Sequence, residues 1–198
     1  MFKNILVGMM LVIVSANAHA EIASCNDLAL MNEYQHSVLI KSYKYGNSYD
    51  LGWTLAAQAW AESSAGTDLY RPEEHSGGSH GIYQSLLDNV IYREYGMRMD
   101  GDKHPTALIA PLWLVTKVFL RVQLDQEFAA KHAILELNYW QVRTKSHWQM
   151  LSAYNGGYSG IQTNTNRKNN RAANYATKVQ SMIKLLKTCK SSPLYKQK

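Results

Sequence analysis

The chain has 198 residues, of which 46% are hydrophobic and 11% aromatic, with five Trp and thirteen Tyr. That supplies one compact apolar core, and the length excludes a second sizeable domain. The formal net charge of +6 points toward anionic partners.

At the N-terminus, Lys3 precedes an apolar run from Ile5 to Val14, and Ala18-His19-Ala20 has the small-x-small form of a signal-peptidase site. Residues 1–20 therefore read as a signal peptide, and the run is too short to span a bilayer. The chain is expected to act in the periplasm or cell envelope, starting at Glu21. A lipoprotein anchored at Cys25 is the alternative, disfavoured because Glu21 and a polar stretch separate that cysteine from the apolar run. Export removes nucleic acid from the anionic partners and leaves membranes and the carboxylate-rich peptides of bacterial cell wall. It also predicts that the two cysteines, Cys25 and Cys189, form one disulfide. A loop of about 165 residues would be closed, for which chain entropy gives roughly 5 kcal/mol.

A first helix is expected over about 26–43, where Leu28, Met31, Tyr34, Val38 and Leu39 recur at helical spacing. A second follows Asp50, with Trp53, Ala56, Ala57 and Trp60 on one face and Gly66 as terminator, which puts Glu62 in its last turn. Residues 67–85, rich in Gly, Ser and His, read as a long loop or small hairpin, and no strand is expected elsewhere. Helical pattern resumes at Ser85 and runs to Tyr95, ended by Gly96. The nearly continuous apolar stretch from Thr106 to Val122 predicts the central core helix, with Leu108, Leu112, Val115, Phe119 and Val122 in a row. Further helices are expected over about 125–142, 147–154 and 171–187. The domain spans 21–189, and residues 190–198 read as a flexible tail.

The chemistry-bearing segments are Glu62-Ser63-Ser64, Gly81-Ile82-Tyr83-Gln84, Ala153-Tyr154-Asn155-Gly156-Gly157 and Tyr175-Ala176-Thr177-Lys178-Val179. A carboxyl in the last turn of a helix meets unsatisfied carbonyls that disfavour a second negative charge, which suits a general acid. Taken singly, each segment is also an ordinary helix end, loop or core position. In this order they resemble the motifs of soluble lytic transglycosylases, over about residues 53–183. The resemblance implies a mainly α, lysozyme-like fold and cleavage of the N-acetylmuramic acid to N-acetylglucosamine bond of peptidoglycan, leaving 1,6-anhydromuramyl ends. It implies Glu62 as the single acid/base. Substrate binding would fall to Ser63, Ser64, Gly81, Tyr83, Gln84, Tyr154 and Asn155, with Tyr175 hydrogen-bonding the acid. No cofactor is implied, and a monomer is expected, its partners glycan strands and an envelope-spanning secretion, conjugation or phage apparatus.

Two departures from that pattern stand out. The spacing from Glu62 to Gly81 is a few residues longer than in similar enzymes, and Tyr83 and Gly156 stand where they usually carry methionine and alanine. The extra carboxylates Asp68, Glu73 and Glu74 open a hydrolytic alternative akin to goose-type lysozymes; a non-catalytic glycan-binding module is the other. His75 and His80 lack the partners of a metal site, so none is expected. The basic run Arg167, Lys168 and Arg171 reads as solvated surface.

Overall fold

The computed structural model describes residues 23–71, 78–100, 106–161 and 171–197. The expected signal peptide, Glu73, Glu74, His75, Arg167 and Lys168 lie outside the described residues. The protein is mainly α-helical. Its first expected helix is two: α1 (Cys25–Leu30) ends before Asn32, which starts α2 (Glu33–Asn47). Asn32 Oδ1 accepts from Gln35 N at 2.9 Å and Gln35 Oε1 accepts from Asn32 N at 3.1 Å, a reciprocal cap that resets the chain direction.

The next helix, α3 (Gly52–Ser63), is the central one, flanked by α2 and by α8 (Arg171–Thr188). Its residues are small where neighbours press closest: Ala56, Ala57, Ala59 and Ala61 are all buried, and a Cβ on Gly52 would strike the Tyr43 carbonyl of α2. Residues after α3 form a three-stranded antiparallel sheet, β1 (Tyr70–Arg71), β2 (Ser79–His80) and β3 (Ser85–Leu86), with Tyr70 opposite His80 and Ser79 opposite Leu86. Then α4 (Leu87–Tyr95) ends on Gly96 in the left-handed conformation (φ 67°), which glycine adopts without strain.

Two expectations fail after α4. The stretch read as free of strands holds β4 (Met97–Arg98) and β5 (Leu108–Ile109), paired in parallel. Asp88 fixes that turn, accepting from Met99 N and Arg98 Nη1, each at 2.7 Å. The apolar stretch that follows is not the central helix. Leu108 and Ile109 are extended in β5, and α5 (Leu112–Leu124) buries Leu114, Val118 and Val122, while Leu108 and Leu112 are exposed. Together with Leu87, Val90 and Ile91 of α4 these residues form a small second core beside the main one.

Asp125 caps α6 (Gln126–Gln141), accepting from Phe128 N at 3.0 Å. The last part of the chain is α7 (His147–Ile161), which breaks at Gly157 (φ 59°, ψ −145°), followed by α8. A disulfide joins Cys25 to Cys189, Cα atoms 5.5 Å apart, and clasps α1 to the end of α8. The segment after Cys189 is not a loose tail: Leu194 is fully buried in the main core and Ser191 Oγ donates to the Cys25 carbonyl at 2.9 Å.

Candidate active site

The end of α3 is wound tightly. Ser64 N and Ala65 N donate to the carbonyls of Trp60 and Ala59, both at 3.0 Å, and Ser64, Ala65 and Gly66 are all left-handed. Ser63 Oγ donates to the Ala59 carbonyl at 3.0 Å and accepts from Gly66 N at 2.9 Å. Lys178 of α8 places its ammonium 3.4 Å from the Ala61 carbonyl, a cation at the negative end of the helix. Glu62, one residue from the end of α3, is 5% exposed and lies in the wall of a cavity of about 310 Å³. That is the lower end of the range of about 300–1,000 Å³ typical of ligand sites.

The same cavity is lined by Ser79 of β2, Gln84 in the turn before β3, Tyr154 and Asn155 of α7 and Arg171 of α8. Tyr154 Oη donates to the Tyr83 carbonyl at 3.1 Å, joining α7 to the turn before β3. Tyr154 and Tyr175 lie nearly parallel, ring centroids 6.3 Å apart. The Tyr175 hydroxyl donates to the Glu62 carboxyl, and Gln58, one helical turn before Glu62, donates to the same hydroxyl at 3.4 Å. Burial, and after it the charge of Glu62, holds both phenols well above the usual tyrosine range, so each remains a proton-bearing donor.

Gln84 is backbone-strained (φ 49°), and its Nε2 donates to the carbonyls of Gly81 and Asp68 at 3.0 and 3.1 Å. Those bonds fix the amide orientation and leave its buried Oε1 without a protein partner. Of the four non-glycine residues with left-handed backbone among the described residues, Gln84 lines this cavity, while Ser64 and Ala65 belong to the tight winding after α3. Such positions cost about 1–2 kcal/mol each and gather where function holds them.

Several residues singled out from sequence act elsewhere. Tyr83 does not face the cavity: its ring is fully buried and its hydroxyl lies 2.8 Å from Ser42 Oγ, so only its carbonyl reaches the site. Gly81 (φ 74°) serves close approach too, but to α5, because a Cβ there would overlap the Val122 carbonyl. Ser63 and Ser64 terminate α3 and are absent from the cavity lining. Asp68 is exposed and contributes its carbonyl alone. Conversely, Arg171, read as solvated surface, lines the cavity, as do Ser79 and Gly160. Helical spacing from Glu62 could have flagged Gln58; nothing local marked the others.

A larger hollow of about 530 Å³ lies between the end of α2 and α6, edged by α4 and α5, and four of its flanking charges pair, Lys131 with Glu94 and Arg121 with Asp125. Among the described residues no group of three or more His, Cys, Asp and Glu is placed to hold a metal. No protein-family model, curated protein or solved structure matches this chain.

Proposed function

We propose that this protein is a lysozyme-like lytic transglycosylase that cuts peptidoglycan strands in the cell envelope, with Glu62 as its acid and base. One observation carries the reading: a nearly buried carboxyl in a cavity wall, held by a tyrosine hydroxyl that donates to it. A donor aimed at a carboxyl orients it and favours its anionic state after proton transfer. Glu62 would first give its proton to the glycosidic oxygen as the bond from the muramyl C1 breaks, releasing the N-acetylglucosamine side as an alcohol. The resulting carboxylate would then take the proton from the muramyl 6-hydroxyl as that oxygen closes onto C1. The proton count balances, no water is consumed, and a single enzymic carboxyl is sufficient.

The remaining lining suits an amidated, acidic glycan. Asn155 offers both a donor and an acceptor to an acetamido group or a hydroxyl, and Arg171 supplies positive charge for lactyl or peptide carboxylates. Local opening of the wall for an envelope-spanning apparatus is the cellular role that such a cutter fits.

Digestion of purified murein, with the released muramyl termini identified by mass, tests this directly. Anhydro ends are expected. Hydrated reducing ends would replace the reading with a muramidase, and binding without release would replace it with a glycan-binding module.

A further inference from the structure

The outer face of α5 is apolar in a way that the fold does not use. Leu112, Trp113, Leu120 and Leu124 are 80%, 67%, 48% and 79% exposed, and at 100° per residue they fall within one third of the helix circumference. The opposite side of the same helix carries the buried Leu114, Val118 and Val122, so α5 is apolar on both sides. None of the outward residues lines the cavity at Glu62.

Charge and area together select an occupant. From Thr106 to Leu124 the chain has no acidic residue and two cations, Lys117 and Arg121. Arg121 lies over the Phe128 ring and reaches Asp125, whereas Lys117 is exposed beside the leucine stripe. A helix of this length is about 20 Å long, and its four outward side chains offer on the order of 500 Å², still short of about 800 Å² per partner in a stable protein interface. A second copy would therefore be held poorly. A bilayer asks for less: shallow insertion of leucines, a tryptophan at headgroup level and a lysine over anionic lipid. Among the described residues no helix is long and apolar enough to cross a membrane, which leaves lying on the surface as the mode.

We propose that the outer face of α5 docks this protein onto an anionic lipid surface, with Leu112, Trp113, Leu120 and Leu124 in the headgroup boundary and Lys117 over lipid phosphates. The face and the cleft are separate, so docking stands or falls independently of peptidoglycan cleavage.

Sedimentation with vesicles tests it, using the chain from Glu21, which contains every described element. The protein is expected to pellet with phosphatidylglycerol–phosphatidylethanolamine vesicles and much less with pure phosphatidylcholine. Leu112→Ser combined with Leu124→Ser is expected to lower the partition coefficient by about tenfold or more. Lys117→Gln should lower it about fivefold, on anionic vesicles only. Both variants alter exposed side chains, so their thermal midpoints should match the parent. Absence of binding to anionic vesicles, or binding that neither variant changes, overturns the proposal. So does concentration-dependent self-association that the leucine variant abolishes, which would assign the face to a second copy.

Discussion

Both α3 and α5 are rich in apolar residues, yet one is the axis of the molecule and the other its flank. The difference lies in how many sides neighbouring elements cover and not in hydrophobicity. Alanines and a glycine let α2 and α8 close around α3, so even Gln58, Glu62 and Ser63 are buried. On α5 only Leu114, Val118 and Val122 are covered by neighbours, and Leu112, Trp113, Leu120 and Leu124 stay outside. A polar group on the enclosed helix is costly unless it is bonded, which is why a carboxyl there is informative. An apolar group on the flanking helix is informative for the converse reason.

The largest expected effect is at Glu62. Glu62→Gln keeps volume and hydrogen-bonding capacity but cannot cycle a proton, so murein turnover should fall by about 10²–10⁴-fold. Circular dichroism and the thermal midpoint should stay close to the parent. Turnover within a few-fold of the parent would detach the chemistry from α3.

A pair of like substitutions tests enclosure itself. Leu55 of α3 is fully buried, and Leu55→Ala should cost about 2–5 kcal/mol in denaturant unfolding, the cavity adding to the lost transfer energy. A cost under 1 kcal/mol would show that α3 is not the enclosed axis.

Much of this arrangement was legible before the structure, and the exceptions share a cause. The helix ending after Glu62, the α4 stop at Gly96 and the start of the last helix at Arg171 are local patterns of apolar spacing and terminators. What failed depends on partners distant in sequence. Tyr83 turns inward because Ser42 waits there, β4 exists because β5 returns beside it, and Leu194 is buried by a core assembled elsewhere. The misreading of α5 is of the same kind. An unbroken apolar run specifies a helix without specifying how many sides neighbours will cover, and the row drawn through Leu108 and Leu112 began before the helix did. Arg171 illustrates it at the site, since its place on the cavity wall comes from α8 crossing α3.

Between the two helices α6 carries a buried histidine that makes stability pH-dependent. Burial pushes His132 down to about 4, against the pull of Glu94, whose carboxylate lies 3.3 Å away. Its unfolded value is about 6.5, so on acidification the unfolded chain takes up a proton before the folded one does. Stability should therefore fall as pH drops from about 6.5 to 4 and its slope from this group vanish below that, a loss on the order of 2 kcal/mol. Denaturant titrations across that window, repeated on His132→Gln, should show a flatter dependence in the variant. An unchanged slope would remove His132 as the cause.

The smallest expected effect completes the contrast. Leu124→Ala on α5 removes the same atoms as Leu55→Ala on α3, but from a side chain that is 79% exposed, so stability should change by no more than about 0.5 kcal/mol. Murein turnover in solution should also be unaltered, because the residue lies away from the cavity. A loss above 1 kcal/mol would mean that the outer face of α5 is covered within the folded protein, and the apolar surface assigned to lipid would then belong to the core.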